Sequence, residues 1–161
     1  MLRILLADDH AVVRQGVKQI LAEAFAQATF GEAQSAPELL KLVTSEHWDI
    51  VVLDLAMPGG NGLEALKQIK QAHPQLPVLI LSMYPEDQYA VRTIRAGAAG
   101  YLNKESAPEE LVQAIHKVLH SGEYISASVA NELVLHARQE DSQPLHQHLS
   151  DREYQVLCLI A

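Results

Sequence analysis

The sequence of 161 residues is poor in cysteine and in aromatic residues, and it has no long hydrophobic run. A single cysteine, Cys158, excludes an intramolecular disulfide and is typical of a reducing compartment, so we expect a cytoplasmic protein. The longest uninterrupted apolar segment, residues 156–161, has six residues, whereas a membrane span needs about 20. The amino terminus, MLRILLADDH, does not resemble a signal peptide, because its short apolar stretch runs directly into two aspartates. We therefore expect no membrane association.

Basic residues are the minority: 12 Lys and Arg stand against 20 Asp and Glu, which gives a net charge of −8. Nucleic acid repels an acidic surface, so these residues alone are not expected to bind DNA specifically. The acidity is equally typical of a soluble protein without a charged partner. Hydrophobic residues make up 48% of the chain, which is enough to form a substantial core.

Short, branched apolar runs alternate with helical patterns five times along residues 1–121. The runs Arg3–Ala7, Ile50–Leu53 and Val78–Leu81 are unbroken, as expected for strands that are buried on both faces of a parallel sheet. Residues 30–33 and 100–102 are weaker strand candidates. The alternation predicts an α/β fold of the (βα)5 type, with a doubly wound parallel sheet covered by helices on both faces.

Two predicted helices begin with the tetrapeptide Ser-Ala-Pro-Glu, at residues 35–38 and 106–109. In each, the serine can cap free amides, the proline fits the first turn, and the glutamate can complete a capping box. Gly97 stands where a helix over residues 92–96 needs a left-handed residue at its end. The apolar stripes predicted to face the sheet are Val13, Val17, Ile20 and Ala24 in the first helix, and Leu111, Ile115, Val118 and Leu119 in the fifth.

The pattern changes after residue 121, where we place the end of the first domain. Val129, Leu133 and Ala137 predict a short sixth helix, and residues 139–149 are polar and contain a proline, as linkers do. Residues 122–148 are therefore expected to form a helical and polar linker.

A further capping box, Ser150–Glu153, opens an apolar helix that reaches Ala161. One helix cannot bury its own apolar face. We therefore expect residues 149–161 to be the beginning of an incomplete all-α domain.

Polar side chains follow four of the five predicted strands. Asp8 and Asp9 follow the first strand, Asp54 follows the third, Ser82 the fourth and Lys104 the fifth. Because ligands of an open parallel sheet bind beyond the carboxyl ends of its strands, we expect these five side chains to converge.

Three carboxylates in one crevice need a cation, because each pair at about 4 Å repels by roughly 4 kcal/mol at an effective dielectric constant of about 20. Oxygen ligands favour Mg²⁺, Lys104 adds a fixed positive charge, and Ser82 adds a hydrogen-bond donor. Phosphoryl transfer depends mostly on positioning and charge neutralisation, so the pattern predicts transfer of a phosphoryl group to Asp54. After Asp54, Pro58 and three glycines permit a tight turn and a close approach of the backbone to a ligand.

Each of these residues also has a simpler explanation. Asp8 and Asp9 could cap the first helix, Lys104 could be an exposed surface lysine, and Ser82 alone carries no information. A charge that ends a buried strand, as Asp54 does, is costly without a purpose. The joint placement of the five residues favours a site.

In these motifs the sequence resembles the receiver domains of two-component response regulators, the CheY-like group with the flavodoxin-like strand order 2-1-3-4-5. The motifs are LLADDH, VVLDLAMPGGNG, LILSMY and GAAGYLNK. The resemblance implies that Asp54 is the phosphorylated aspartate. It also implies that Asp9, Asp54 and the backbone carbonyl of Ala56 ligate Mg²⁺, with Asp8 acting through a water molecule.

The same resemblance assigns roles to three further residues. Ser82 and Lys104 are expected to contact the bound phosphoryl group. Tyr101 is expected to be the aromatic switch that turns inward when Ser82 moves towards the phosphate.

The whole layout resembles the NarL/FixJ subfamily, whose members end in a LuxR-type helix-turn-helix domain. Residues 149–157, LSDREYQVL, look like the first helix of that domain, so we expect the chain to end inside it. The resemblance implies a transcription regulator, not an enzyme beyond assisting its own phosphorylation and dephosphorylation. Its expected partners are a sensor histidine kinase, a second copy in a phosphorylated homodimer, and DNA for the full-length protein.

Three residues depart from the pattern of the family. Glu105 follows Lys104 where many receivers have proline. Ala56 is too small and apolar to orient an attacking water molecule, and Tyr84 is bulky and could shield the site. The lifetime of the phosphoryl group is therefore not predicted by the sequence.

Two other functions are considered. A phosphatase of the haloacid dehalogenase class also uses an aspartyl nucleophile and Mg²⁺, but it needs a second aspartate at the position of Ala56. A binding module that is never phosphorylated would act through protein contacts alone. That module is disfavoured because the set is intact: Asp8, Asp9, Asp54, Ser82 and Lys104.

Overall fold

The computed structural model describes residues 2–56, 62–83, 86–105 and 108–142. The elements are β1 (Arg3–Ala7), α1 (Ala11–Ala24), β2 (Thr29–Ala33), α2 (Ala36–Ser45), β3 (Ile50–Leu53), α3 (Gly62–Ala72), β4 (Val78–Ser82), α4 (Glu86–Arg95), β5 (Gly100–Asn103), α5 (Pro108–Ser121) and α6 (Ala127–Ser142). The strands form one sheet in the order β2-β1-β3-β4-β5, and every neighbouring pair is parallel. The predicted (βα)5 fold and its 2-1-3-4-5 order are confirmed.

The three unbroken apolar runs are the central strands β1, β3 and β4. Every residue of β3 and β4 is buried, and so is every residue of β1 after Arg3. The two weaker candidates are the edge strands β2 and β5. Because an edge strand is paired on one side only, it needs fewer apolar residues, which explains the weaker pattern.

Helices cover both faces of the sheet. The apolar layer on one face includes residues of α1 and α5, and the layer on the other includes residues of α2, α3, α4 and α6. Because all five strands are parallel, their carboxyl ends lie at one edge of the sheet. In the described ranges, no helix combines the length and hydropathy of a membrane span.

The predicted stripe of α1 is correct only in part, because Val17 packs on the apolar layer of that face as predicted. The buried residues of α1 are Arg14 and Leu21, whereas Ala24 is exposed. A charged residue in the buried stripe shifts the apparent periodicity, and Arg14 can occupy that position because it pairs with Glu32 of β2. In α5, Leu111, Ile115 and Val118 are buried as predicted, but Leu119 is exposed.

The first Ser-Ala-Pro-Glu segment begins α2 as predicted. The Glu38 amide donates to Ser35 Oγ at 3.4 Å, and the Glu38 carboxylate accepts from the Gln34 amide at 3.3 Å. The Glu38 carboxylate thus accepts from the amide of Gln34, which precedes the N-cap residue, and not from the amide of the N-cap residue Ser35 itself. Ser106 and Ala107 lie outside the described residues, and α5 begins at Pro108. Gly97 has a φ of 108° after α4, as the left-handed position requires.

Helix α6 is longer than predicted. It has 16 residues and extends through residues 139–142, which the sequence assigned to the linker. Glutamine, glutamate and arginine are good helix formers, so a polar segment can continue a helix that is already docked. Val129 is buried against the sheet-side layer and Leu133 packs on it, whereas Ala137 is exposed. The predicted apolar helix of residues 149–161 lies outside the described residues.

The segment between α5 and α6 lies along β5. Tyr124 donates its amide to the Ala99 carbonyl at 2.7 Å and forms a parallel bridge with Gly100. A Cβ atom at Gly100 would stand 2.5 Å from the Tyr124 carbonyl oxygen, so only glycine allows this approach. The contact directs the chain into α6, which packs on α4.

Candidate functional site

Asp8 and Asp54 stand side by side because the backbone pairing of β1 continues past the strand ends. The Asp8 amide donates to the Ala33 carbonyl at 3.0 Å, and the Asp54 amide donates to the Ala7 carbonyl at 2.9 Å. Both residues are buried, with 7% and 3% of their surfaces exposed. The sheet itself therefore places two carboxylates at its carboxyl edge.

A cluster of four residues offers ligand atoms at this edge. One atom each from Asp8, Asp9, His10 and Asp54 lies within 4.8 Å of all the others. Asp9 and His10 form the exposed side of the cluster, and Asp8 and Asp54 form its buried side.

Lys104 bridges the two buried carboxylates. Its Nζ lies 2.8 Å from Asp8 Oδ2 and 3.1 Å from Asp54 Oδ2. Burial alone lowers the pKa of the Lys104 ammonium, but the hydrogen bond to Asp8 and the charge of Asp54 outweigh it, so the pKa is raised above 10.5. Lys104 is therefore a permanent cation at neutral pH, and it is held between two anions.

The backbone also fixes Lys104. Its amide donates to the carbonyl of Ser82, the last residue of β4, at 2.8 Å. The Ser82 side chain is fully buried at that strand end. The structure thus brings Asp8, Asp9, Asp54, Ser82 and Lys104 to one edge of the sheet.

The turn after β3 holds Asp54 from the other side. The Ala56 amide donates to Asp54 Oδ1 at 3.1 Å, while Lys104 contacts Oδ2. Both oxygens of the carboxylate are therefore oriented. Residues 57–61, with the proline and two glycines of the predicted tight turn, lie outside the described residues, and so does Tyr84.

His10 is a further member of the acidic cluster. It is the N-cap residue of α1, and its side chain makes no capping hydrogen bond. Its amide donates to Asp8 Oδ1 at 2.8 Å, and its Nδ1 lies 3.3 Å from Asp8 and 3.1 Å from Asp9. The Asp8 carboxylate therefore accepts from an amide at the start of α1 and also faces Lys104, so its place beside the helix start does not prevent a role in the site.

Tyr101 lies inward in the structure. It pairs with Ile80 in the register of β4 and β5 and is 1% exposed. Its side chain belongs to the same apolar layer as Tyr89 and Ala90 of α4 and Val129 of α6. The predicted switch residue is therefore in contact with the layer on which α6 is docked.

The sequence analysis missed Arg14. Its guanidinium donates from Nη1 to the Asp8 carbonyl at 2.7 Å and from Nε to Glu32 Oε1 at 2.8 Å. The hydrogen bond from Arg14 lowers the pKa of Glu32 below 4.5, against the opposing effect of burial, and Lys18 contributes a smaller lowering. One feature of the sequence could have indicated that Arg14 is buried: it lies three and seven residues before Val17 and Leu21, so the three share one face of α1.

The donor set fits a small divalent cation. Mg²⁺ holds oxygen ligands at about 2.1 Å, so its ligand atoms stand roughly 3 to 4 Å apart. The cluster atoms already lie within 4.8 Å of one another. Three carboxylates at this spacing repel, and a cation relieves that repulsion.

Comparisons with known proteins agree with this geometry. Residues 4–116 match the response regulator receiver domain. The chain is 37% identical over 164 residues to the response regulator GacA of Pseudomonas aeruginosa, covering 100% of this chain and 76% of GacA. It is 34% identical over 161 residues to the response regulator UvrY of Escherichia coli, covering 99% of this chain and 74% of UvrY.

A solved structure shares the fold over most of the chain. The two-component response regulator of the LuxR family from Aurantimonas sp. superimposes with a TM-score of 0.72 at 35% identity, over 84% of this chain and 96% of that one. The receiver match and these relatives set aside the phosphatase alternative. The chain belongs to the response regulators of two-component signalling, which regulate transcription, and residues 4–116 are its receiver domain.

Proposed function

We propose that this receiver domain accepts a phosphoryl group on Asp54 with the help of Mg²⁺. The observation that carries the proposal is the position of the Asp54 carboxylate. It is 3% exposed, lies beside two other aspartates, and is 3.1 Å from the Lys104 ammonium. A buried carboxylate with both oxygens oriented is a pre-organised nucleophile.

Asp9, Asp54 and the Ala56 carbonyl are the direct ligands that we assign to Mg²⁺, and Asp8 acts through a water molecule. For the two aspartates that follow β1, their difference in burial supports this division. Asp8 is buried and already paired with Lys104 at 2.8 Å, whereas Asp9 is on the open side of the cluster. The ion, when bound, neutralises charge on the phosphoryl oxygens.

The phosphodonor is the phosphohistidine of a sensor histidine kinase. An oxygen of Asp54 attacks phosphorus in line, the phosphorus–nitrogen bond breaks, and the imidazole leaves with the electron pair. Lys104 and Ser82 contact the transferred group, and Lys104 balances the charge that moves onto Asp54. Hydrolysis of the resulting acyl phosphate resets the domain.

The response is a shift between two states of the domain. Contact with the phosphoryl group draws Ser82 and Lys104 inward and holds Tyr101 in its inward position, which repacks the α4–β5–α5 face. A change from mostly off to mostly on needs about 5.5 kcal/mol of differential stabilisation. The readout in the full-length protein is a homodimer that binds DNA through its helix-turn-helix domain.

Labelling with acetyl phosphate and Mg²⁺ tests the proposal. We expect the intact mass of the wild type to rise by one phosphoryl group, and we expect no rise for Asp54→Asn or for the wild type with excess chelator. Asp49→Asn is the matched control, because Asp49 precedes β3 at the opposite end of that strand and binds the Arg3 amide. Equal labelling of Asp54→Asn would contradict the proposal, and absence of labelling in the wild type would favour a binding module.

A further inference from the structure

Arg14 is a buried charge that the phosphoryl-transfer chemistry does not use. It lies in α1 with 7% of its surface exposed. Burying a guanidinium costs free energy unless its donors are paired. Its pairing partners therefore indicate what the side chain does.

Those partners join three elements at the site. Nη1 of Arg14 donates to the Asp8 carbonyl at 2.7 Å, so α1 is tied to the end of β1. Nε donates to Glu32 Oε1 at 2.8 Å, so the same group is anchored on β2. Lys18 contacts the other oxygen of Glu32 at 3.4 Å, but no described contact joins Lys18 to Asp8.

Asp8 is held at four points, one of which is Arg14. Its amide donates to Ala33, its Oδ1 accepts from the His10 amide, and its Oδ2 contacts Lys104. The carbonyl that accepts from Arg14 belongs to the peptide unit that joins Asp8 to Asp9. The orientation of this peptide unit sets the position of the Asp9 Cα atom, from which the Asp9 side chain extends.

Arg14 also lines a small cavity together with two residues of the acidic cluster. The cavity of about 10 Å³ is lined by Asp8, Arg14 and Asp54 together with apolar residues. That volume is at the lower limit for one water molecule, so little space remains between these residues. A guanidinium presents its donors in a fixed planar fork, so it holds the Asp8 carbonyl and the Glu32 carboxylate in one defined geometry, whereas a lysine ammonium is a flexible point charge.

We propose that Arg14 is a positioning residue, which holds the Asp8–Asp9 peptide unit so that the acidic cluster is ready for its cation. The inference rests on the proposed function, because it assigns the cluster to Mg²⁺. Outer residues that orient ligands in this way commonly change metal affinity by about 10- to 100-fold when they are replaced.

The competing explanation is a purely structural ion pair between α1 and β2. Such a pair changes stability and leaves the affinity of the folded protein for Mg²⁺ unchanged. Calorimetric titration with Mg²⁺ separates the two explanations. Calorimetry is preferred to fluorescence, because Trp48 precedes β3 and so lies at the end of the sheet opposite Asp54.

The experiment compares four variants with the wild type at a temperature where each is folded. We expect Arg14→Met to weaken Mg²⁺ binding by about 10-fold or more. Arg14→Lys retains the charge without the planar fork, and we expect an intermediate loss. Lys18→Met removes the outer contact to Glu32, and Leu21→Val removes buried volume from the same helix. We expect both controls to bind Mg²⁺ as the wild type does.

A second signal needs no metal. In the metal-free protein, the amide resonances of Asp9 and His10 should shift in Arg14→Lys and stay in place in Lys18→Met. Wild-type affinity in Arg14→Met, or in Arg14→Lys if Arg14→Met does not fold, overturns the inference and leaves the proposed function intact. Failure of the wild type to bind Mg²⁺ overturns the proposed function itself.

Discussion

Lys104 reaches Asp54 across the end of an intervening strand. Lys104 follows β5 and Asp54 follows β3, and β4 lies between them in the sheet. Two strand spacings are about 10 Å, yet the Nζ–Oδ2 distance is 3.1 Å. The Lys104 side chain thus passes the end of β4 and places its ammonium group beside Asp54. Ser82 is the last residue of β4, and we expect the transferred phosphoryl group to lie there.

Lys104 already supplies part of the positive charge that the carboxylates need, which leads to a prediction about Mg²⁺. We expect Lys104→Met to lower the free energy of unfolding by roughly 3 kcal/mol in the absence of metal, because Asp8 and Asp54 lose their buried counter-ion. Mg²⁺ should then raise the melting temperature of the variant more than that of the wild type, because the ion replaces the missing charge.

Thermal unfolding with and without Mg²⁺ checks this prediction. Lys117→Met, on the exposed side of α5, is the control and should match the wild type under both conditions. A smaller Mg²⁺ effect in Lys104→Met than in the wild type would mean that the lysine is needed for metal binding and does not substitute for it.

Because of Glu32, the free energy of unfolding is expected to decrease at acidic pH. The hydrogen bond from Arg14 lowers the pKa of the folded Glu32 carboxyl below 4.5. The stabilisation is therefore complete above the unfolded pKa and is lost as the pH falls through the folded pKa. We expect wild type to be more stable than Glu32→Gln at pH 7, and the difference to shrink below pH 4.5.

Urea unfolding of both proteins over this pH range measures the difference directly. Parallel curves, in which the two free energies of unfolding fall together down to acidic pH, would show that the ion pair between Arg14 and Glu32 does not contribute.

The docking of α6 depends on Val129. This residue is 1% exposed and lies in the layer that also contains Tyr101. An aspartate there would be a buried unpaired charge, so we expect Val129→Asp to release α6 from α4 while the sheet stays folded. Hydrogen exchange of residues 127–142 should become faster, with little change in β1, β3 and β4.

Val134→Asp is the matched control, because Val134 is on the same helix and 52% exposed. It should leave the exchange of α6 close to that of the wild type. Equal exchange of α6 in the two variants would show that Val129 does not hold the helix.

The sequence was sufficient to predict the sheet and the position of its acidic edge. Unbroken runs such as Ile50–Leu53 can be recognised because a central parallel strand is buried on both faces. The (βα)5 topology then brings the carboxyl ends of all strands to one edge, so residues such as Asp8 and Asp54 meet although they are distant in the chain.

The details that the sequence did not predict depend on tertiary partners. Arg14 interrupts an apolar stripe, and its anchor, Glu32, is on another element. The docking of α6 on α4 joins two elements that are distant in the chain, so no local pattern encodes it. The contacts of His10 with Asp8 and Asp9 follow from the turn between β1 and α1, whose geometry the residue types alone do not specify.

The central claim is that Asp54 carries the phosphoryl group, and reductive trapping tests it most directly. After incubation with acetyl phosphate and Mg²⁺, borohydride reduces an aspartyl phosphate to homoserine, which peptide mass spectrometry locates. We predict homoserine at position 54 and unmodified aspartate at positions 8 and 9. Homoserine at position 8 or 9, or Mg²⁺-dependent labelling without homoserine at position 54, would contradict the account.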